Sequence, residues 1–218
     1  MTVVSKGKIT SKLSDLVREG CITEISSVFR PDSLTECDRR LLYHCKNKQT
    51  FHKSKMLHNK AITDKWIDLL STTKGVRVVE KNVVVADANC NINGVIDIIV
   101  DFQDKIFVVK VKNIDSLVFD KIKTNGPRRK DVFEVQAYIW LSELEEGLLV
   151  YEDIGDQRFD ILHIEKSKEI IKSIEAKFGD LVRYQVSGRM PKKPENISRE
   201  YCESCEYHKI CSESLSSK

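Results

Sequence analysis

The chain has 218 residues, 41% of them hydrophobic and 32% charged, with a formal net charge of +3. That length suits one medium domain with a real core, and so small a net charge leaves any nucleic-acid surface to local clusters. No apolar run reaches the ~18 residues a membrane span needs, and "MTVVSKGKIT" lacks an apolar signal core; a cytoplasmic protein without membrane partners is expected, its seven cysteines thiols or metal ligands rather than disulfides.

Residues 8–19 carry the spacing of a short amphipathic helix. "PDSLTECDRRLLYHCKN" reads as a second helix, starting near Ser33 or Thr35. In "KSKMLHNKAITDKWIDLLS" apolar residues at 56, 57, 61, 62, 66, 69 and 70 mark one face of a third. After Gly75 the period changes to that of strands: "VRVVEKNVVVA", then 94–102 and 105–112, with a turn at "DANCNIN" and another at Gln103–Asp104. Residues 113–131 read as a polar loop ending in the basic "GPRRK". A helix "DVFEVQAYIWLSELEE", strands "GLLVYED" and "RFDILHI", and a long helix through Gly188 follow. This order predicts an α/β chain with a mixed central sheet flanked by helices. Its expected parts are an N-terminal helical region (1–75), a core (76–186) and a C-terminal cysteine segment (187–218).

The tail reads "CESCEYHKIC", placing Cys202, Cys205 and Cys211 in a C-x2-C-x5-C spacing. Three thiols so close together can converge on one inorganic centre, and such a centre wants four ligands. The fourth must come from elsewhere: Cys37 in "LTECDRRLLYHC" is the candidate and Cys45, two turns on, its competitor. Spacing does not separate zinc from iron and sulfur. Either would staple the chain's two ends across more than 160 residues.

The stretch "GVIDIIVDFQDKIFVVKVKN" puts Asp97 early on one strand and Lys110 and Lys112 late on the next. In many Mg²⁺-dependent nucleases one strand ends in Asp and the next carries acid-x-Lys. The carboxylates hold the metal, and the lysine positions the attacking water. Residues two apart share a strand face, so Lys110 and Lys112 both face toward Asp97. A solvated sheet edge would carry the same lysines.

Taken together, Cys37 in "SLTECDRRLLY", "NGVIDIIV", "VVKVK", "VQAYIW" and "SGRMPKKPENISREYCESCEYHKIC" resemble the RecB-like PD-(D/E)XK nucleases that carry a cysteine-ligated iron–sulfur cluster, above all the CRISPR-associated exonuclease family called Cas four. The resemblance implies a restriction-endonuclease-like core with a small cluster region joining the N- and C-terminal segments. It implies that Cys37, Cys202, Cys205 and Cys211 hold a [4Fe-4S] or [2Fe-2S] cluster. It implies that Asp97 and His58 bind Mg²⁺ or Mn²⁺, that Lys112 is catalytic, and that Gln136 is the glutamine of a Gln-x-x-x-Tyr helix motif in which Trp140 replaces the tyrosine.

Lys110 breaks the pattern, because it stands where the family has an acid. At an effective dielectric near 20 each unit pair at ~4 Å is worth roughly 4 kcal/mol, so a divalent ion there loses an attraction and gains a repulsion. The expected consequence is a degenerate or weakened site that binds DNA, preferably single-stranded, beside the CRISPR integrase complex in spacer acquisition. Two alternatives stand beside it. In one, Glu134 supplies the missing acid and the protein is an active Mg/Mn-dependent exonuclease; in the other, a non-catalytic viral or mobile-element copy interferes with adaptation. Arg39, Arg40, Arg128, Arg129 and Lys130, with Lys192 and Lys193, are the candidate phosphate contacts.

Overall fold

The computed structural model describes residues 22–25, 28–46, 49–195 and 197–216, with the side chains of 22–25, 49–60 and 214–216 left aside. The helix read over 8–19 lies outside the described residues, as does the side chain of His58. Two short strands, β1 (Ile22–Ile25) and β2 (Gln49–His52), form a small antiparallel sheet of their own. Between them lie a single 3₁₀ turn at Pro31–Ser33 and α1 (Asp38–Lys46). Helix α2 (Lys53–Thr72) leads into the main sheet.

That sheet has five strands in the order β3 (Val76–Asp87), β4 (Ile92–Phe102), β5 (Lys105–Ile114), β6 (Glu146–Asp153) and β7 (Phe159–Glu165). All neighbours are antiparallel except β5 and β6, which run parallel. A parallel pair needs a crossover, and α3 (Ser116–Asn125) and α4 (Arg129–Leu141) supply it. The chain ends in α5 (Lys168–Ser187), α6 (Arg199–Glu203) and α7 (His208–Ser216). Residues Gln103 and Asp104 both have positive φ, 54° and 60°, the backbone of a two-residue hairpin turn whose twist matches the strands.

Three elements depart from the sequence reading. The expected polar loop contains α3, whose N-cap Asp115 accepts from the Val118 amide and whose Phe119 and Ile122 are buried. Only Phe119 and Ile122 are buried and its second half is polar apart from Ile122, which hides the helix from composition. The second helix starts at Asp38 rather than Ser33 or Thr35, because Pro31 and the turns after it occupy the chain through Glu36. Cys37 therefore stands at the helix start, its carbonyl accepting from the Leu41 amide at 3.0 Å. Helix α4 stops at Leu141, and Glu146 already belongs to β6.

The sheet is covered on both faces. On one side Trp66 and Ile67 of α2 pack on Ile98, Val100, Phe107, Val109 and Val150. On the other Val135, Tyr138 and Ile139 of α4 pack on Ile96, Ile99, Val108 and Leu149. The opposite flank of α4 joins a further core, where Ala137 meets Phe29, Leu41 and Leu42 and Ile174 and Phe178 of α5. Helix α4 is thus wedged between two apolar layers, which fixes its rotation about its axis.

Candidate functional site

Strand β4 changes its alternation at Asp97. Ile96 and Ile99 both face the α4 side, while Ile98 and Val100 face the α2 side. On β3 the pairs Lys81↔Ile98 and Val83↔Ile96 flank Asn82, which has φ 53°. The β3–β4 register runs unbroken across Asn82, its shift lying between Val78 and Glu80. The register Ile98↔Val109 then sets Asp97 across from Lys110.

The outcome is a charge network rather than an open acidic site. Lys110 Nζ donates to Asp97 Oδ1 at 2.8 Å and lies 3.7 Å from Glu134 Oε1. Asp97 Oδ2 accepts from the Val111 amide at 3.2 Å. Lys112 Nζ donates to Glu134 Oε2. Two carboxylates face two ammoniums, so the formal charge of the set is zero. Burial alone pulls the Lys110 ammonium toward neutrality. The negative charges around it, led by Asp97, outweigh that and raise its pKa. Burial likewise raises the Tyr138 phenol. Each carboxylate oxygen already faces a cationic or N–H partner, so as arranged these residues do not fit a divalent cation.

On α4 the structure shifts the expected register by two residues. Glu134 faces the β5 lysines, and Tyr138, one turn later on the same side, lies under Lys110 with its ring centre 5.2 Å from Nζ. Gln136, ~200° around the helix from Glu134, faces away. Its amide donates to the Glu165 carbonyl at 2.7 Å and accepts from the Ser167 amide at 2.9 Å, tying α4 to the β7–α5 junction. Trp140 packs in the core against α5. Glu134-x-x-x-Tyr138 thus occupies the place that identity alone gave to Gln136 and Trp140. Tyr138 was missed in the sequence; its signal is the four-residue spacing from Glu134. Gly94 shares in this. A Cβ there would fall 2.8 Å from Tyr138 Cε1 and 3.0 Å from Pro31, so only glycine lets this ring approach β4.

Four cysteines gather beside the start of α1. Cys37, Cys202, Cys205 and Cys211 line one pocket of about 70 Å³, several times the ~10–15 Å³ that one water requires. Arg39, Arg40 and Lys193 also line it. Cys45 packs instead against the α1–α5 core, where burial pushes its thiol up to about 11. Among the described residues no group of three or more His, Cys, Asp or Glu side chains is disposed to hold a single metal ion.

The basic residues divide. Arg39 is buried; its Nε donates to Cys211 Sγ at 3.1 Å and its Nη1 to the Pro191 carbonyl at 2.8 Å, so it braces the pocket and is withdrawn from any phosphate. Arg40 pairs with Glu206 at 3.4 Å and Glu36 at 3.6 Å in the same neighbourhood. Arg128 bonds Asp131 at 2.6 Å. Arg129, stacked over Phe133 at 5.0 Å, and Lys130 are exposed at the start of α4.

No family profile matches the sequence, and no curated protein matches it. Solved structures do. The chain is similar to the alkaline exonuclease LHK-Exo from Laribacter hongkongensis, with a TM-score of 0.57 and 13% identity over 92% of this chain and 99% of that one. The complex of LHK-Exo with dAMP aligns at 0.59 with 14% identity, over 87% and 95%. A phage-related exonuclease from Haemophilus somnus 129PT aligns at 0.53 with 13% identity, over 76% and 95%. SSO0001 aligns at 0.53 with 19% identity, over 94% and 97%. At such identities the likeness is one of fold. The five-stranded mixed sheet between helices matches the fold of these exonucleases.

Proposed function

We propose that this protein binds DNA through a nuclease fold whose cutting site is closed by its own charges. The observation that carries this is the Lys110–Asp97 ion pair, with Glu134 shared between Lys110 and Lys112. Arg129 and Lys130 supply phosphate contacts, so binding is sequence-independent and weakens steeply with salt. A single-stranded substrate is favoured, in line with the resemblance to Cas-four proteins of CRISPR spacer acquisition. The integrase complex of that process, or competition with an active nuclease by a viral or mobile-element copy, is the corresponding setting.

Cys37, Cys202, Cys205 and Cys211 would hold a [4Fe-4S] or [2Fe-2S] cluster. A cluster spreads its thiolates wider than one zinc does, and the four thiols line a single pocket. When bound, the cluster acts as an inorganic cross-link between the α1 segment and the C-terminal segment. Iron and acid-labile sulfide in anaerobically purified protein are expected, and zinc without sulfide would replace the cluster by the rival centre.

A second reading has its own support. Glu134 places a carboxylate beside Lys112, so Asp97, Glu134 and Lys112 are the makings of an active exonuclease once a metal displaces Lys110. Digestion of end-labelled single-stranded DNA with Mn²⁺, run beside a low-salt gel shift, separates the two. Retardation without cutting is expected. Degradation abolished by Asp97→Asn would establish the enzyme instead, and neither retardation nor cutting would refute both.

A further inference from the structure

The main sheet has two edges, and they are built differently. Strand β3 carries devices that keep an edge from pairing: a register shift between Val78 and Glu80, and the charged Glu80 and Lys81 in its middle. At the other edge β7 reads "FDILHIE", with no proline, no lysine and an unbroken register against β6. Among the described residues no strand pairs with its outer side. The Asp153 amide donates to the Arg158 carbonyl at 2.8 Å and the Lys166 amide to the Glu145 carbonyl at 2.9 Å, so the even-numbered residues of β7 aim their backbone groups at β6. Phe159, Ile161 and His163 therefore turn their N–H and C=O groups outward. Their side chains share the α2 face of the strand, where Phe159 meets the Trp66 ring at 5.2 Å and His163 the Phe107 ring at 5.9 Å. Phe159 is nonetheless 54% exposed and Ile161 42%.

We infer that β7 is a self-pairing edge, through which two copies of this chain join antiparallel and merge their five-stranded sheets into one. Such a pairing is two-fold symmetric, and charge selects its centre. With the axis at Ile161, Phe159 faces the partner's His163, Asp160 faces the partner's Leu162, Arg158 faces the partner's Ile164, and Asp156 falls toward the partner's Lys166. No like charges oppose each other. With the axis one residue later, at Leu162, Arg158 faces the partner's Lys166; one residue earlier, Asp160 faces its own copy. The axis at Ile161 also sets residues 159, 161 and 163 against one another, so their outward N–H and C=O groups satisfy each other. An unrelated extended peptide could use the same backbone groups, but this order of charges is matched by the strand itself. The inference concerns assembly and does not depend on what the cleft does with DNA.

The test uses the full chain at rising concentration. One strand pair lies at the small end of specific interfaces, about 1,000 Å² in total, so sedimentation velocity is run from about 1 to 300 µM. The sedimenting mass is expected to double across that range. Amide exchange followed by nuclear magnetic resonance on the same samples should slow at least about tenfold at Phe159, Ile161 and His163, while Asp160, Leu162 and Ile164, already bonded to β6, change little. Ile161→Lys sets two ammoniums face to face on the axis and should stay monomeric throughout. Circular dichroism checks that this variant folds; should it not, the wild-type exchange pattern decides alone. A monomer mass up to the highest concentration overturns the inference. So does a dimer that survives in folded Ile161→Lys, or one whose slowed amides lie elsewhere. Full protection of the three amides at the lowest concentration would assign the edge to a segment of the same chain, and overturns it too.

Discussion

Lys110 and Glu134 are the two side chains on which this site turns. They carry opposite charges and meet where β5 faces α4. Glu134 is 3% exposed and neutralises part of both lysines. Glu134→Gln removes the carboxylate both ammoniums face, and breaking such a buried pair costs on the order of 3 kcal/mol. Urea unfolding should show the loss as a lower midpoint at unchanged slope. Arg39 offers the complementary lesson. It is a cation in an arginine pair, yet it is buried against Cys211 Sγ and a carbonyl, whereas Arg129 stays exposed. Arg129→Ala should weaken DNA retardation and lower its salt slope by ~1, while an Arg39 substitution should act through the cysteine pocket.

Helix α4 transmits more than any other element, because it touches the site, the sheet and the α1–α5 core at once. Its seat on β6 depends on Gly147. A Cβ there would lie 2.6 Å from Val135 Cγ1, a contact that real side chains do not make. Gly147→Ala must push α4 outward, at a cost of roughly 1–3 kcal/mol for overpacking. The same displacement carries Glu134 away from Lys112, so the variant should combine a lower unfolding midpoint with weakened coupling at the site. A distinct device holds the β6–β7 turn. Asp153, fully buried, accepts from Ser116 Oγ at 2.8 Å, the Gly155 amide at 2.9 Å and Arg158 Nη2 at 2.6 Å. Burial by itself would raise its pKa, but the guanidinium, the hydroxyl and the amide outweigh it and hold the carboxyl down at about 2. The folded value lies below the unfolded one, so its stabilisation is present above the ordinary aspartate pKa and is lost as pH falls through about 2. Acid unfolding of Asp153→Asn should therefore lack the part of the pH dependence between about 4 and 2.

At the scale of the molecule, α1 and the C-terminal segment close on each other. Arg39 reaches Cys211 and Pro191, Tyr43 stacks on Tyr207 at 5.3 Å, and His44 Nδ1 meets Tyr207 Oη at 3.0 Å. These contacts and the four thiols belong to one docking surface between α1 and the α6–α7 segment. Hydrogen exchange after Cys205→Ser should show residues 38–46 and 199–211 losing protection together, with β4, β5 and β6 unchanged. Loss confined to the C-terminal segment would mean that the cysteines do not clasp the two ends.

Local pattern was enough for much of this protein. β-branched alternation with a two-residue turn specifies the β4–β5 hairpin, because it is set by backbone geometry over a few residues. Asp97, Lys110 and Lys112 follow from the same hairpin. Local pattern could not choose between Glu134 and Gln136, or between Cys37 and Cys45, or tell a buried arginine from an exposed one. Each of those choices depends on how a helix is rotated and docked. For α4 that rotation comes from the two apolar layers that grip it, and for α1 from its packing against α5 and the distant C-terminal segment. The forces that decide it act between residues far apart in the chain, where no short window of sequence can register them.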